Sequence, residues 1–199
     1  IQAWRTYRRR IEEKLPLQRT QHDLTGRTNR EIFSILLGRE VNLEESERLE
    51  VKKEALYRQI YTPHLKALPG LTRLLQNLKT DSVPVALATS GPPANVDFIL
   101  DGLEIRTYFD AIVDASQISH GKPHPEVFLT AAGKLGLPPG NCVVFEDSLL
   151  GIEAARRAGM AVIGITTTLP AEELQGTVLA VADFERITLD RLKAIALQR

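Results

Sequence analysis

Three short stretches of the 199-residue chain carry side chains from which chemistry could be built. The run Val143-Val144-Phe145-Glu146-Asp147-Ser148 ends in two adjacent carboxylates, which are costly at the mouth of a buried strand unless a cation or donors satisfy them. Hard oxygen ligands of this kind suit Mg²⁺, usually shared with a phosphate; Asp147 or Ser148 could instead cap a following helix. The stretch Ser119-His120-Gly121-Lys122-Pro123-His124-Pro125-Glu126 fixes one ammonium group between a glycine and a proline. Lys122 would neutralise an anion there, or stand as an exposed loop lysine. Ala88-Thr89-Ser90-Gly91 presents hydroxyls and backbone N–H groups where a helix begins. That arrangement is an anion site or a plain N-cap. His124 reads as a neighbour of a helix N-cap, and His22, His64 and His120 have no ligand spacing among themselves.

The elements that must position these residues alternate. Val83–Ala88, Ala111–Val113, Cys142–Phe145, Val162–Ile165 and Val178–Val181 are short apolar runs, mostly β-branched, and read as strands. Helical patterns over 92–101, 125–135 and 148–158 separate the first four, with Gly102, Gly136 and Gly159 as stops. Strands alternating with helices predict a doubly wound parallel α/β sheet with right-handed crossovers. Sites in such sheets lie beyond the carboxyl ends of the strands, and each of the three stretches follows a predicted strand.

The first third differs. Residues 1–66 hold 14 basic and 10 acidic side chains, whereas 67–199 hold 11 and 15, so the net charge of zero sums a basic part and an acidic one. Trp4, Tyr7, Ile11 and Leu15 form one apolar stripe. A second helix is predicted over Asn29–Leu37, with Ile32, Phe33, Leu36 and Leu37 inward and Gly38 as a stop. A third runs from Asn42 to about Tyr61, with Glu45 in a capping-box position. Residues 1–66 therefore read as a helical domain and 67–199 as the α/β domain, joined near Thr62–Gly70, where Pro63 and Pro69 interrupt the pattern.

Composition excludes several classes. Zero net charge argues against a dedicated nucleic-acid binder. The single cysteine, Cys142, excludes a disulfide framework, which suits the cytoplasm. The longest uncharged stretch, Ser82–Val96, is broken by Pro84, Gly91, Pro92 and Pro93 and is too short to span a membrane. Residues 1–14 lack the apolar segment of a signal peptide.

Taken in order, Ala86-Leu87-Ala88-Thr89-Ser90, Gly121-Lys122-Pro123-His124-Pro125 and Phe145-Glu146-Asp147-Ser148 through Ala158-Gly159 resemble the second, third and fourth motifs of the haloacid dehalogenase-like superfamily. The β-phosphoglucomutase-like phosphatases are the most similar branch, and residues 1–66 resemble their inserted helical cap. The resemblance implies an α/β core with a cap and a Mg²⁺-dependent phosphohydrolase. It would be a cytoplasmic monomer acting on a small phosphorylated metabolite through an aspartyl-phosphate. It implies that Thr89, Ser90, Gly91 and Lys122 bind the phosphoryl group and that Asp147, with Glu146, binds the metal. Trp4, Thr25, Gly26, Arg27 and Arg30 are the cap residues it places near substrate.

The resemblance also breaks. The family's first motif, Asp-x-Asp-Gly at the end of the central strand, is absent; Asp81, Asp97 and Asp101 follow no apolar strand and cannot replace it. The nucleophile is therefore expected upstream of Ile1, on a strand between those ending at Thr89 and Glu146. A sheet without that strand would orphan backbone groups at about 1–3 kcal/mol each, against a total stability of about 5–15 kcal/mol. A piece of a longer enzyme is thus expected, ahead of a natural truncation acting as a non-catalytic binding module or a strand supplied by another chain. In the cap loop, Thr25 and Asn29 stand where a mutase would carry a lysine and an arginine, which favours a phosphatase over a phosphohexomutase.

Overall fold

The computed structural model describes residues 29–197, in which helices and strands follow in the order the periodicities predict, with two additions. Helix α1 (Asn29–Leu37) buries Ile32 and Phe33, and α2 (Leu43–Tyr61) returns over it. Phe33, Val41 and Leu56 form the small core between them. Asn42 caps α2 by accepting from the Glu45 N–H at 2.9 Å. The predicted box is only half formed, because the Glu45 carboxylate turns to the Arg39 guanidinium, at 2.7 and 2.8 Å.

The α/β part runs α3 (Leu71–Thr80), β1 (Ala86–Ala88), α4 (Pro93–Gly102), β2 (Ala111–Val113), α5 (Glu126–Leu135), β3 (Val143–Glu146), α6 (Leu149–Arg157), β4 (Ala161–Ile165), β5 (Leu179–Val181) and α7 (Leu189–Leu197). Helices α3 and α7 are the additions. Among the described residues all pairings are parallel: Ala86 to Ala111 and Ala88 to Val113 in one sheet, Val143 to Ala161 and Ile163 to Leu179 in the other. Strand β1 is shorter than the predicted Val83–Ala88. Val85 is held at its N–H by the Asp110 carboxylate and at its C=O by the Asp110 N–H, so the ladder begins only at Ala86.

Helices cover both faces. Val162 joins the core under α5 and α6 with Val127, Phe128 and Ile152, while its neighbour Ile163 joins the opposite core with Leu74, Leu78 and Leu192 from α3 and α7. All five residues of β4 are buried, as expected for a strand covered on both sides. Gly136 and Gly159 take positive φ, 68° and 76°, at the ends of α5 and α6. Gly102 does not serve as the stop the sequence suggests. It is the last residue of α4, a Cβ there would strike the Leu65 side chain, and Glu104 takes the left-handed turn instead, at φ 55°.

Among the described residues, strands β1–β2 and β3–β4–β5 form separate sheets, with β1 and β3 each pairing on one edge only. Between them lies an apolar cavity of about 560 Å³, walled by Ala86, Leu87 and Ala88 on one side and Val143, Val144 and Phe145 on the other.

Candidate active site

Each predicted site residue of the α/β part lies at or beyond the carboxyl end of a strand. Glu146 is the last residue of β3, and its carboxylate is almost fully enclosed. It accepts from Lys122 Nζ at 2.6 Å through Oε2, and from the Ser148 N–H and hydroxyl at 3.1 and 2.7 Å through Oε1. Burial alone would raise this carboxyl. The Lys122 charge and the donors from Lys122 and Ser148 outweigh it and hold Glu146 below its usual range. Ser148 also caps α6, accepting from the Gly151 N–H at 3.1 Å. Gly151 has a steric reason to lack a side chain, because a Cβ there would land on the Glu146 carboxyl.

Lys122 is buried rather than an exposed loop lysine, with 9% of its side chain accessible, and its ammonium also sits 4.9 Å from the Phe128 ring centroid. Its loop is closed at the base by Glu126, the first residue of α5, whose carboxylate accepts from the Ser119 and His120 N–H groups at 2.9 and 2.8 Å. The Arg157 guanidinium on α6 reaches the Pro123 carbonyl at 3.4 Å.

The two adjacent acids part company. Asp147 Oδ2 accepts from the hydroxyls of Thr167, at 2.9 Å, and Thr168. These threonines were not singled out in the sequence, although they follow β4 directly and the strand-end rule would have found them.

After β1, the Thr89 N–H continues the ladder to the Val113 carbonyl, and Thr89 Oγ1 accepts from the Gly91 N–H at 3.0 Å. Ser90 Oγ is buried and, among the described residues, is the one buried side-chain polar atom without a hydrogen-bond partner. An orphaned hydroxyl beside the start of α4 suits an incoming oxygen-rich group. A half-buried carboxylate with two hydroxyl donors on one oxygen suits a hard cation on the other, and Mg²⁺ commonly takes one or two carboxylates plus phosphate.

The structure brings Lys122 and Glu146 into contact, and it sets Thr89, Ser90, Gly91 and Asp147 at strand ends of the two sheets. Arg30, proposed from the cap, donates to the Val41 carbonyl at 3.0 Å and pairs with Glu40 at 3.5 Å. Trp4, Thr25, Gly26 and Arg27 lie outside the described residues. A further polar cluster joins α2 to α4. Glu54 on α2 accepts from Asn29 at 2.8 Å and from Asn95 on α4 at 2.6 Å, while Arg58 donates to Asn95 at 2.9 Å and Lys53 to Asn29 at 2.6 Å. Glu54 and Lys53, both buried, are also in ionic contact.

A family model for haloacid dehalogenase-like hydrolases matches residues 3–159. A β-phosphoglucomutase of Bacillus subtilis is 34% identical over 199 residues, covering 96% of this chain and 84% of that enzyme. A phosphorylated carbohydrates phosphatase of Thermotoga maritima is 36% identical over 121 residues, covering 59% of this chain and 56% of its own length. The chain thus spans just over half of that relative. Among solved structures, a HAD hydrolase of Entamoeba histolytica superposes with a TM-score of 0.85 at 30% identity, covering 98% of this chain and 90% of that one.

Proposed function

We propose a reading that starts from the family: this chain belongs to the haloacid dehalogenase-like hydrolases, and it forms the phosphate- and Mg²⁺-binding part of a phosphatase acting on a small phosphorylated sugar or similar metabolite. The observation that carries it is the buried Lys122–Glu146 pair at the carboxyl end of β3. Such a pair is expensive to bury without a purpose or excellent geometry. Here it holds a donor still where a phosphoryl oxygen would arrive.

In this reading Thr89 and Ser90 turn their hydroxyls to the phosphoryl oxygens, the Gly91 N–H orienting the first through its bond to Thr89 Oγ1. Glu146 anchors Lys122, which serves as a positioned donor because the pair is neutral overall. Asp147 offers Oδ1 to Mg²⁺, with Thr167 and Thr168 fixing its other oxygen. When bound, the ion offsets phosphoryl charge and aligns the group for attack. The nucleophile is an aspartate on a strand ahead of the cap, seated between β1 and β3. Its carboxylate bonds to phosphorus as the ester oxygen departs and takes a proton from a second acid; water then releases phosphate from the aspartyl-phosphate. The apolar cavity supports this placement. It is flanked by two edges that, among the described residues, pair with no strand, and its lining is mostly apolar.

Asn29 supports a phosphatase over a mutase, since its side chain is committed to Lys53 and Glu54 rather than offered to a second phosphate. The identity to a β-phosphoglucomutase over 84% of that enzyme favours the mutase as the second reading. A cytoplasmic monomer belongs to either reading; among the described residues no helix is long and apolar enough to cross a membrane.

The test is phosphate release from hexose phosphates by the protein carrying its upstream strand, with and without Mg²⁺. Asp147→Asn should lose the Mg²⁺-dependent rate while the fold persists. Interconversion of β-glucose 1-phosphate and glucose 6-phosphate without phosphate release would establish the mutase instead. Unchanged turnover by Asp147→Asn would remove Asp147 from the metal site.

A further inference from the structure

The loop that carries Lys122 also brings together two imidazoles and a carboxylate that the active site does not use. His120, His124 and Glu126 each present a ligand atom, and those atoms lie within 4.8 Å of one another. His120 Nδ1 is 2.9 Å from Glu126 Oε2, and His124 Nδ1 is 3.8 Å from the same oxygen. The imidazole centroids are 4.5 Å apart. Glu126 is pre-oriented, because the Ser119 and His120 N–H groups hold its carboxylate in place. Both histidines are more than half exposed, so an ion could arrive with its water and shed only part of it.

We propose that His120, His124 and Glu126 form a surface site for a borderline transition-metal dication such as Zn²⁺ or Ni²⁺, distinct from the Mg²⁺ position at Asp147. The donor set decides the class of ion. Two imidazole nitrogens and one carboxylate oxygen suit Zn²⁺, Ni²⁺ or Cu²⁺, whereas Mg²⁺ takes oxygens. Tetrahedral ligands at about 2.0–2.1 Å stand roughly 3.3 Å apart. His124 must therefore close its 3.8 Å gap by about half an ångström and give up the hydrogen bond that its Nδ1 accepts from the Glu126 N–H at 3.3 Å, a movement within reach of its exposed ring. Water completes the coordination. Because His120 and His124 flank Lys122, the ion would brace the loop on both sides of the buried ammonium.

Calorimetric titration of the whole chain with ZnCl₂ or NiCl₂ alone tests this, in a Cys142→Ser background so that the thiol does not contribute. We expect one ion per chain, affinity weakened about tenfold or more in His120→Asn/His124→Asn, and no displacement by excess Mg²⁺. Metal should raise the melting temperature of the parent and not of the double variant, while His22→Asn/His64→Asn should bind as the parent does. Absence of binding, equal affinity in the His120→Asn/His124→Asn protein, loss of binding in His22→Asn/His64→Asn, or competition by Mg²⁺ would each overturn the assignment. None of these readouts depends on phosphatase activity.

Discussion

The Lys122–Glu146 pair makes a quantitative demand. Glu146→Gln keeps the shape that Gly151 accommodates and removes only the charge, leaving the Lys122 ammonium enclosed without its counter-ion. Breaking a buried pair from one side costs about 3–5 kcal/mol. The lower figure applies here, because the amide oxygen can still accept from Ser148. At roughly 2–4 °C per kcal/mol for a chain of this size, the melting temperature should fall by about 6–12 °C. Adding Lys122→Met should recover part of that loss, since the unpaired charge is then gone, and the double variant should be more stable than Glu146→Gln alone. The pH dependence has a definite sign. Glu146 is depressed below its ordinary 4.5, so its contribution is present above that value and is lost as pH falls through the lower folded-state pKa. The gap between parent and Glu146→Gln should be constant near neutrality and narrow below about pH 4.5. Thermal unfolding followed by circular dichroism from pH 3 to 7 measures both effects. A gap under about 1 kcal/mol at pH 7, or one that does not narrow in acid, would refute the view that this pair is a buried, mutually dependent unit.

Other substitutions test neighbouring features. Gly151→Ala drives a methyl group into the Glu146 carboxyl and should cost about 1–3 kcal/mol; unchanged thermal stability would mean that Glu146 can swing aside freely. Asn95→Ala removes a donor to Glu54 and the acceptor of Arg58 at the contact between α2 and α4. It should cost about 1–3 kcal/mol and lower hydrogen-exchange protection in α2 while β4 is spared; uniform loss across both would contradict a local tie. Asn42→Ala should cost about 1 kcal/mol through the lost cap of α2, read as a small fall in melting temperature, and no fall would show that Glu45 needs no side-chain acceptor.

Strand-end chemistry was legible because it is local. An apolar run followed by Glu-Asp-Ser, and another followed by Thr-Ser-Gly, put polar groups where parallel strands stop. The division of labour between Glu146 and Asp147 was not legible. It depends on Lys122, 24 residues away, and on Thr167 and Thr168, about 20 away, which only the parallel pairing brings in. Helix α3 was readable in principle, since Leu71, Leu74, Leu75 and Leu78 keep strict helical spacing, yet no strand preceded it to frame the pattern. Gly102 misled because a glycine near a helix end usually marks the turn. Here the close approach of Leu65 explains it, a contact 37 residues away in the chain. The meeting of His120 with His124 required the loop to curl, and the Glu126 carboxylate makes it do so.

Strands β1 and β3 both line the apolar slot, and among the described residues each has one edge that pairs with no strand. A segment entering there would form ladders on both sides at once, each about 4.8 Å away, and could not gain one without the other. Seating would therefore be nearly all-or-none, unlike the piecemeal growth of a strand added to an outer edge. The two sheets are tied to each other through α5, which packs on β1 and β2, and α6, which packs on β3 and β4, the two helices being in contact.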